Sequence, residues 1–176
     1  DTAPIIDASL RRLLVILEKH FASASYLLSK RPSSSDFALY GQLSQLVNFD
    51  PTPREICHEV SLRTVAWVGL IEDQSGIEVT DEQWGSIESL PSTVKDLLIE
   101  IGNGYVPAQL ANAKAIENGD KEWETKIDNC LWKQKSFPYQ AKCLKWVNEE
   151  YRALEENDRK KVDNLLDGTG CERLIL

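Results

Sequence analysis

From Ile6 to Phe21 the apolar residues Ile6, Leu10, Leu13, Leu14, Leu17 and Phe21 return at steps of three and four, with Arg11, Arg12, Glu18 and Lys19 between them. That period predicts a helix with one core-facing stripe. Ala22 to Lys30 reads as a connection in which Tyr26, Leu27 and Leu28 keep to the core. Ser33 followed three positions later by Asp36 has the spacing of a capping box, which satisfies amide hydrogens left free in a helix's first turn. Pro32 resists helix continuation from upstream, and Phe37 at N4 is placed to close a staple against it. The helix that follows, roughly Ser34 to Asn48, carries Phe37, Tyr40, Leu43 and Val47 on one side with Leu39 and Leu46 alongside. Being apolar nearly all round, it is expected to be the buried centre. Gly41 inside it costs about 1 kcal/mol relative to Ala, which predicts close approach of another helix.

Asp50-Pro51-Thr52-Pro53 breaks the pattern, because residues before proline avoid the α region and proline has no amide donor. A helix starting at Pro53 and running through Ile56 and Val60 is expected next, then one with Val65, Val68 and Leu70 or Ile71 inward and Trp67 in the core. Glu72 to Pro91 turns to Gly, Ser, Asp, Glu and Gln, a surface connection expected to pack through Ile77, Val79 and Trp84. A helix from Pro91, with Val94, Leu97, Leu98 and Ile101 at helical spacing, should end at Gly102-Asn103-Gly104. A second one, Ala108 to Asn118, should follow and close at Gly119.

Asp128-Asn129, two residues that tolerate positive φ, stand between Trp123–Ile127 and Cys130–Gln134, so residues 123–134 are expected to form a small β-hairpin with its tryptophans on the helices. Pro138 opens the last long helix, with Cys143, Trp146, Val147, Tyr151 and Leu154 as its inward stripe. Glu155 to Leu166 continues or restarts it, Gly168-Thr169-Gly170 ends it, and the tail from Cys171 to Leu176 is placed to dock back. The expected fold class is all-α, a helical bundle with one hairpin. Residues 1–75 form its core, and 76–176 a helical extension packed on it as one unit.

Composition narrows the partners. The chain has 176 residues, is 42% hydrophobic and carries a formal charge of −8. It can bury a substantial core. An acidic balance without clustered Lys and Arg argues against nucleic acid or an anionic membrane, and Arg159-Lys160-Lys161, flanked by acids, reads as a solvated face. No apolar run approaches the ~20 residues that cross a bilayer, and no secretory leader pattern opens the chain, which reads as soluble. Cys57, Cys130, Cys143 and Cys171 stand far apart without a CxxC pair, as free thiols in a reducing compartment would, and this places the protein in the cytoplasm. With only His20 and His58 in the chain, no metal site is expected. Cys57 and His58 are adjacent, and neighbours on a helix point about 100° apart, so they do not form a nucleophile and its base. Lacking methionine and opening at Asp1, the chain reads as a domain of something longer.

Pro32-Ser33-x-x-Asp36-Phe37, continued by Ala38-Leu39-Tyr40-Gly41-Gln42, then Asp50-Pro51-Thr52-Pro53 and Arg63 through Trp67 to Val68, resembles the C-terminal helical domain of glutathione S-transferases. It departs from that pattern with Leu62-Arg63 in place of a proline-arginine pair, and with Ser34 and Ser35. Ala111 to Ala115, Trp132-Lys133-Gln134 and Phe137 to Trp146 look like the C-terminal extension of a mainly bacterial branch of that family. The resemblance implies that a thioredoxin-like N-terminal half, which binds glutathione and supplies the thiol-activating residue, precedes this chain and is its partner. Glutathione would be a co-substrate of the full-length parent, with no cofactor in this chain and no catalytic residue of its own. The chain would supply the wall for the electrophile, with Tyr105, Trp132, Tyr139 and Gln140 as substrate-pocket candidates and Ser33 and Asp36 as the structural cap. Alternatively, a domain of this type serves without catalysis as an interaction or dimerisation module, and a homodimer is an expectation on either reading.

Overall fold

In the computed structural model, residues 2–175 are described; Asp1 and Leu176, the first residue of the expected core and the last of the expected tail, lie outside them. Among the described residues the chain is mostly helical, with seven α-helices and one two-stranded antiparallel hairpin. The order is α1 (Ala3–His20), α2 (Ser34–Asn48), α3 (Pro51–Val60), α4 (Leu62–Glu72), α5 (Ser92–Asn118), β1 (Glu122–Ile127), β2 (Cys130–Lys135), α6 (Pro138–Ala153) and α7 (Glu156–Leu166). None of these helices is long and apolar enough to cross a membrane. The chain divides into two compact units, one of residues 10–96 and one joining the residues up to Ser9 with those from Leu97 onward.

In the first unit α2, α3 and α4 pack on one another. Leu14, Leu17, Leu43, Val47, Ile56, Trp67, Val68 and Ile71 are buried, each on the apolar stripe of its helix. The expected start of α2 holds. Ser33 is its N-cap, and Asp36 reaches back so that one carboxylate oxygen accepts from the Ser33 amide at 2.8 Å and the Ser33 hydroxyl at 2.6 Å. The hydroxyl also faces the Asp36 amide in the capping-box arrangement, but the bond it makes there is the one it donates to the carboxylate. The other carboxylate oxygen accepts from the Leu27 amide at 2.8 Å, so the box also fastens the preceding loop.

The rest of α2 differs from expectation. It is not buried all round: Asp36, Leu43, Ser44 and Val47 are inside, while Phe37 is 49% exposed. Gly41 meets nothing within 4 Å of a built Cβ, so no helix approaches it. Apolar residues outnumber the positions one neighbouring layer can cover, and the surplus faces outward. The connection before α5 does not pack through Ile77, Val79 and Trp84, which are all about half exposed. Its links are polar: the Lys30 amide donates to the Gln83 carbonyl at 3.1 Å, and the Arg31 guanidinium lies over the Trp84 ring at 4.5 Å. α3 begins two residues before Pro53, since Pro51 at the first helical position gives up an amide that would have no partner there.

Glu18 ties α1 to the start of α4. Burial alone would raise its carboxyl pKa, but the Arg63 amide at 3.0 Å, the Ser61 hydroxyl at 2.9 Å and the Arg63 guanidinium outweigh it and hold the value below the ordinary 4.5. A carboxyl whose folded pKa is depressed contributes stability above its ordinary pKa and loses it as pH falls through the folded value. The stability gap between wild type and Glu18→Gln in urea should therefore be present at about pH 6 and close towards about pH 3. A gap that widens on acidification would contradict this.

In the second unit the expected break at Gly102-Asn103-Gly104 does not occur: α5 runs unbroken from Ser92 to Asn118 with Pro107 inside it. Glycine and asparagine lower helix propensity without forbidding a helix, and tertiary contacts decide the outcome. Gly102 is buried where Thr169 and Gly170 cross, and Arg173 donates to its carbonyl at 2.8 Å. The tail docks back as expected, the Cys171 thiol donating to the Leu98 carbonyl at 3.1 Å and Asn148 to that of Leu174 at 2.8 Å. The hairpin forms with Asp128 and Asn129 at positive φ; Trp123 is buried and Trp132, paired with Thr125, is half-buried. The inward stripe of α6 is shifted from expectation: Leu144 and Asn148 are buried, while Trp146 and Val147 are more than 40% exposed.

Candidate functional site

Because α5 is continuous, Tyr105, Gln109 and Asn112 fall four and three residues apart on one face of it. Asn112, fully buried, holds the residue before α6 by both backbone groups: the Phe137 amide donates to its Oδ1 at 2.7 Å, and its Nδ2 donates to the Phe137 carbonyl at 3.0 Å. One turn earlier Gln109, also buried, donates from Nε2 to the Tyr105 hydroxyl at 2.6 Å and towards the Gln140 carbonyl at 3.2 Å. Two buried amides thus fix where α6 starts. Replacing Asn112 by Ala leaves the Phe137 amide without a partner and its carbonyl with only the Gln140 amide at 3.2 Å, and a loss of about 2 kcal/mol is expected in urea unfolding. Faster hydrogen exchange at Phe137 should accompany it; unchanged protection there would show that something else anchors α6.

Past that anchor the side chains are aromatic and largely in solvent. Phe137, Tyr139 and Trp146 form a run of ring contacts, with centroids 6.2 Å apart at each step and the second pair edge to face. All three are more than 40% exposed, and the Lys142 ammonium lies 4.7 Å over the Trp146 ring. Three aromatic rings left in contact with water are a feature of recognition surfaces more than of solvated helix faces. Tyr105 is half exposed. Partial burial pushes its phenol up from the ordinary value of 10; the Gln109 bond opposes the rise and Cys143 adds to it. Its oxygen accepts from Gln109, so its own proton remains to be donated.

Of the residues the sequence put forward, Tyr105 and Gln140 meet at Gln109, and Tyr139 joins the aromatic run from the adjacent position. Trp132 does not join them: it sits on β2 and makes no ring contact with the cluster. Ser33 and Asp36 belong to the other unit and to its fold. Gln109, Asn112, Phe137 and Trp146 are the members that sequence reasoning passed over. Their signal was polar residues at helical spacing in an apolar run, hidden by the expected break at Gly104, and a stripe on α6 read as inward.

Elsewhere, Cys57 is fully buried with its thiol pKa raised by that burial, while its neighbour His58 is exposed, so the two do not cooperate. His20 is fully buried, its Nε2 donating to the Tyr26 carbonyl at 3.0 Å and its Nδ1 lying 2.7 Å from the Thr93 hydroxyl; both nitrogens are committed to structure. Among the described residues no three His, Cys, Asp or Glu side chains converge as metal ligands do. No family model, curated protein or solved structure matches the chain.

Proposed function

We propose that this chain is the helical, ligand-facing part of a glutathione transferase-like protein and does not conjugate glutathione by itself. The observation that carries the proposal is that buried Gln109 joins the Tyr105 hydroxyl to the Gln140 backbone carbonyl, next to Tyr139 in the exposed aromatic run, so that three of the four positions implied by the resemblance stand on one anchored stretch. Aromatic walls with a few fixed polar groups suit an apolar electrophile. The Tyr105 phenol, shifted upward, stays protonated at neutral pH: it can donate to a ligand but offers no anion to activate a thiol. Thiol activation is assigned to a thioredoxin-like partner domain, and glutathione to the full-length parent.

The test assays conjugation of glutathione to an aryl halide by this chain alone and by the longer protein that joins it to a thioredoxin-like domain. Turnover is expected in the second tube only, and Tyr105→Phe should lower kcat/KM there. Conjugation by the isolated chain would overturn the division of roles, and an inactive two-domain protein would overturn the reading itself. The exposed Phe137–Tyr139–Trp146 run also fits the second reading, a non-catalytic docking or dimerisation face. Self-association abolished by Trp146→Ala would favour that reading.

A further inference from the structure

A cleft in the first unit, independent of the aromatic rim, is formed where residues 23–30 face residues 82–91. Its volume is about 570 Å³, within the range of small-ligand sites. Buried side chains anchor the nearer wall: Trp67 donates from its indole to the Ser25 carbonyl at 2.9 Å and stacks on Phe21, while His20 holds the Tyr26 carbonyl. The far wall is tied across by the Lys30–Gln83 backbone bond. It is also brought close by Gly85, where a Cβ would come within 3.2 Å of the Leu28 carbonyl. Arg31 over the Trp84 ring fixes the indole at the mouth. The cleft is therefore a preformed concavity between two fastened segments.

Its chemistry is that of hydroxyls and amides. Ser29 and Ser89 spend their hydroxyl protons on the Arg31 and Ser86 carbonyls; of the other lining residues, Ser23, Ser25 and Ser86 make no side-chain hydrogen bond among the described residues, and Gln83, whose Oε1 accepts from the Thr80 amide at 3.0 Å, keeps its amide nitrogen uncommitted. Of the lining residues only Lys30 and Glu82 are charged, one of each sign, and the Arg31 guanidinium at the mouth is engaged by the Trp84 ring, the Thr80 carbonyl at 3.3 Å and the Asp81 carboxylate at 4.0 Å, so neither an anion nor a cation is favoured as a whole. Each serine hydroxyl can donate and accept, as can a sugar hydroxyl, and the half-exposed indole of Trp84, one face of which Arg31 covers, offers its other face as an apolar surface for the C–H side of a pyranose ring. We infer that this cleft binds a neutral, polyhydroxylated small molecule, a mono- or disaccharide, with Trp84 as its platform and Gln83, Ser25 and Ser86 as its hydrogen-bonding groups.

The experiment titrates the intact chain with maltose, methyl α-glucopyranoside and inorganic phosphate while following backbone amide shifts by NMR. Saturable shifts confined to residues 23–30 and 82–91 are expected with at least one sugar and not with phosphate. Trp84→Ala should weaken sugar binding about tenfold, the scale of a lost aromatic contact, while Trp84→Phe keeps most of it. Ser86→Ala, an exposed loop change that leaves the spectrum elsewhere intact, should weaken it by about threefold. Saturation by phosphate but not sugar, an affinity unchanged by Trp84→Ala, or no saturable shift with either sugar would each overturn the inference. None of these outcomes depends on glutathione conjugation.

Discussion

Asp36→Ala should lower unfolding stability by about 4 kcal/mol, because it strips the partner from two part-buried backbone amides and leaves the Ser33 hydroxyl only that of Ser35. The carboxylate is fully buried and accepts from the Ser33 amide, the Ser33 hydroxyl and the Leu27 amide, all within 2.8 Å. An exposed cap costs about 0.5–2 kcal/mol when removed, since water takes over its role. Here the carboxylate is fully buried and its donors only partly exposed, so water replaces it poorly, and the loop before the helix is released together with the helix end. In thermal unfolding the loss corresponds to a fall of roughly 8–16 °C for a chain of this size. Asp36→Asn keeps one acceptor oxygen but turns an amide NH2 towards donors, so it should recover only part of the loss. Phe37→Ala, one residue on but half exposed, should cost under about 1 kcal/mol. If Asp36→Ala proved as mild as Phe37→Ala in urea, the network would be ornamental and the structural basis of the proposed kinship would go with it.

The second large effect is a contrast between two glycines in one helix. At Gly102 an added Cβ would lie 1.9 Å from the Thr169 carbonyl oxygen, 2.9 Å from its carbon and 3.1 Å from the Gly170 Cα. These are backbone atoms, so no rotamer change relieves the contact: either α5 or the 168–170 turn must move. Movement there also disturbs the Arg173 bond to the Gly102 carbonyl and the Cys171 bond to Leu98. Gly102→Ala is therefore expected to cost about 3 kcal/mol even after the better helix propensity of Ala is counted. At Gly104 nothing lies within 4 Å. Gly104→Ala should instead stabilise the chain by about 0.5–1 kcal/mol, the ordinary gain in a helix interior. Chemical denaturation of the two variants side by side reads out the sign directly, and a shared sign would mean that the tail does not bear on α5 as described.

Read as a string, the chain determines its local structure because the causes are local. The three- and four-residue period of Leu10, Leu14 and Leu17 makes α1, Ser33 and Asp36 start α2 at the stated residue, and Asp128-Asn129 turn the hairpin at positive φ. Helical class follows from these alone. Whether Gly102-Asn103-Gly104 ends a helix is not a local matter, since the residues that settle it, Thr169 and Gly170, lie more than sixty positions away in sequence. The same holds for burial: period picks out a stripe, but which members of an over-wide stripe are covered depends on the neighbour supplied, and so Phe37, Trp146 and Val147 are left facing water. The candidate site belongs to this second kind. Tyr105, Gln109 and Asn112 share a face only because a distant turn keeps α5 whole, and they reach Phe137 and Gln140 only because α6 folds back to meet them.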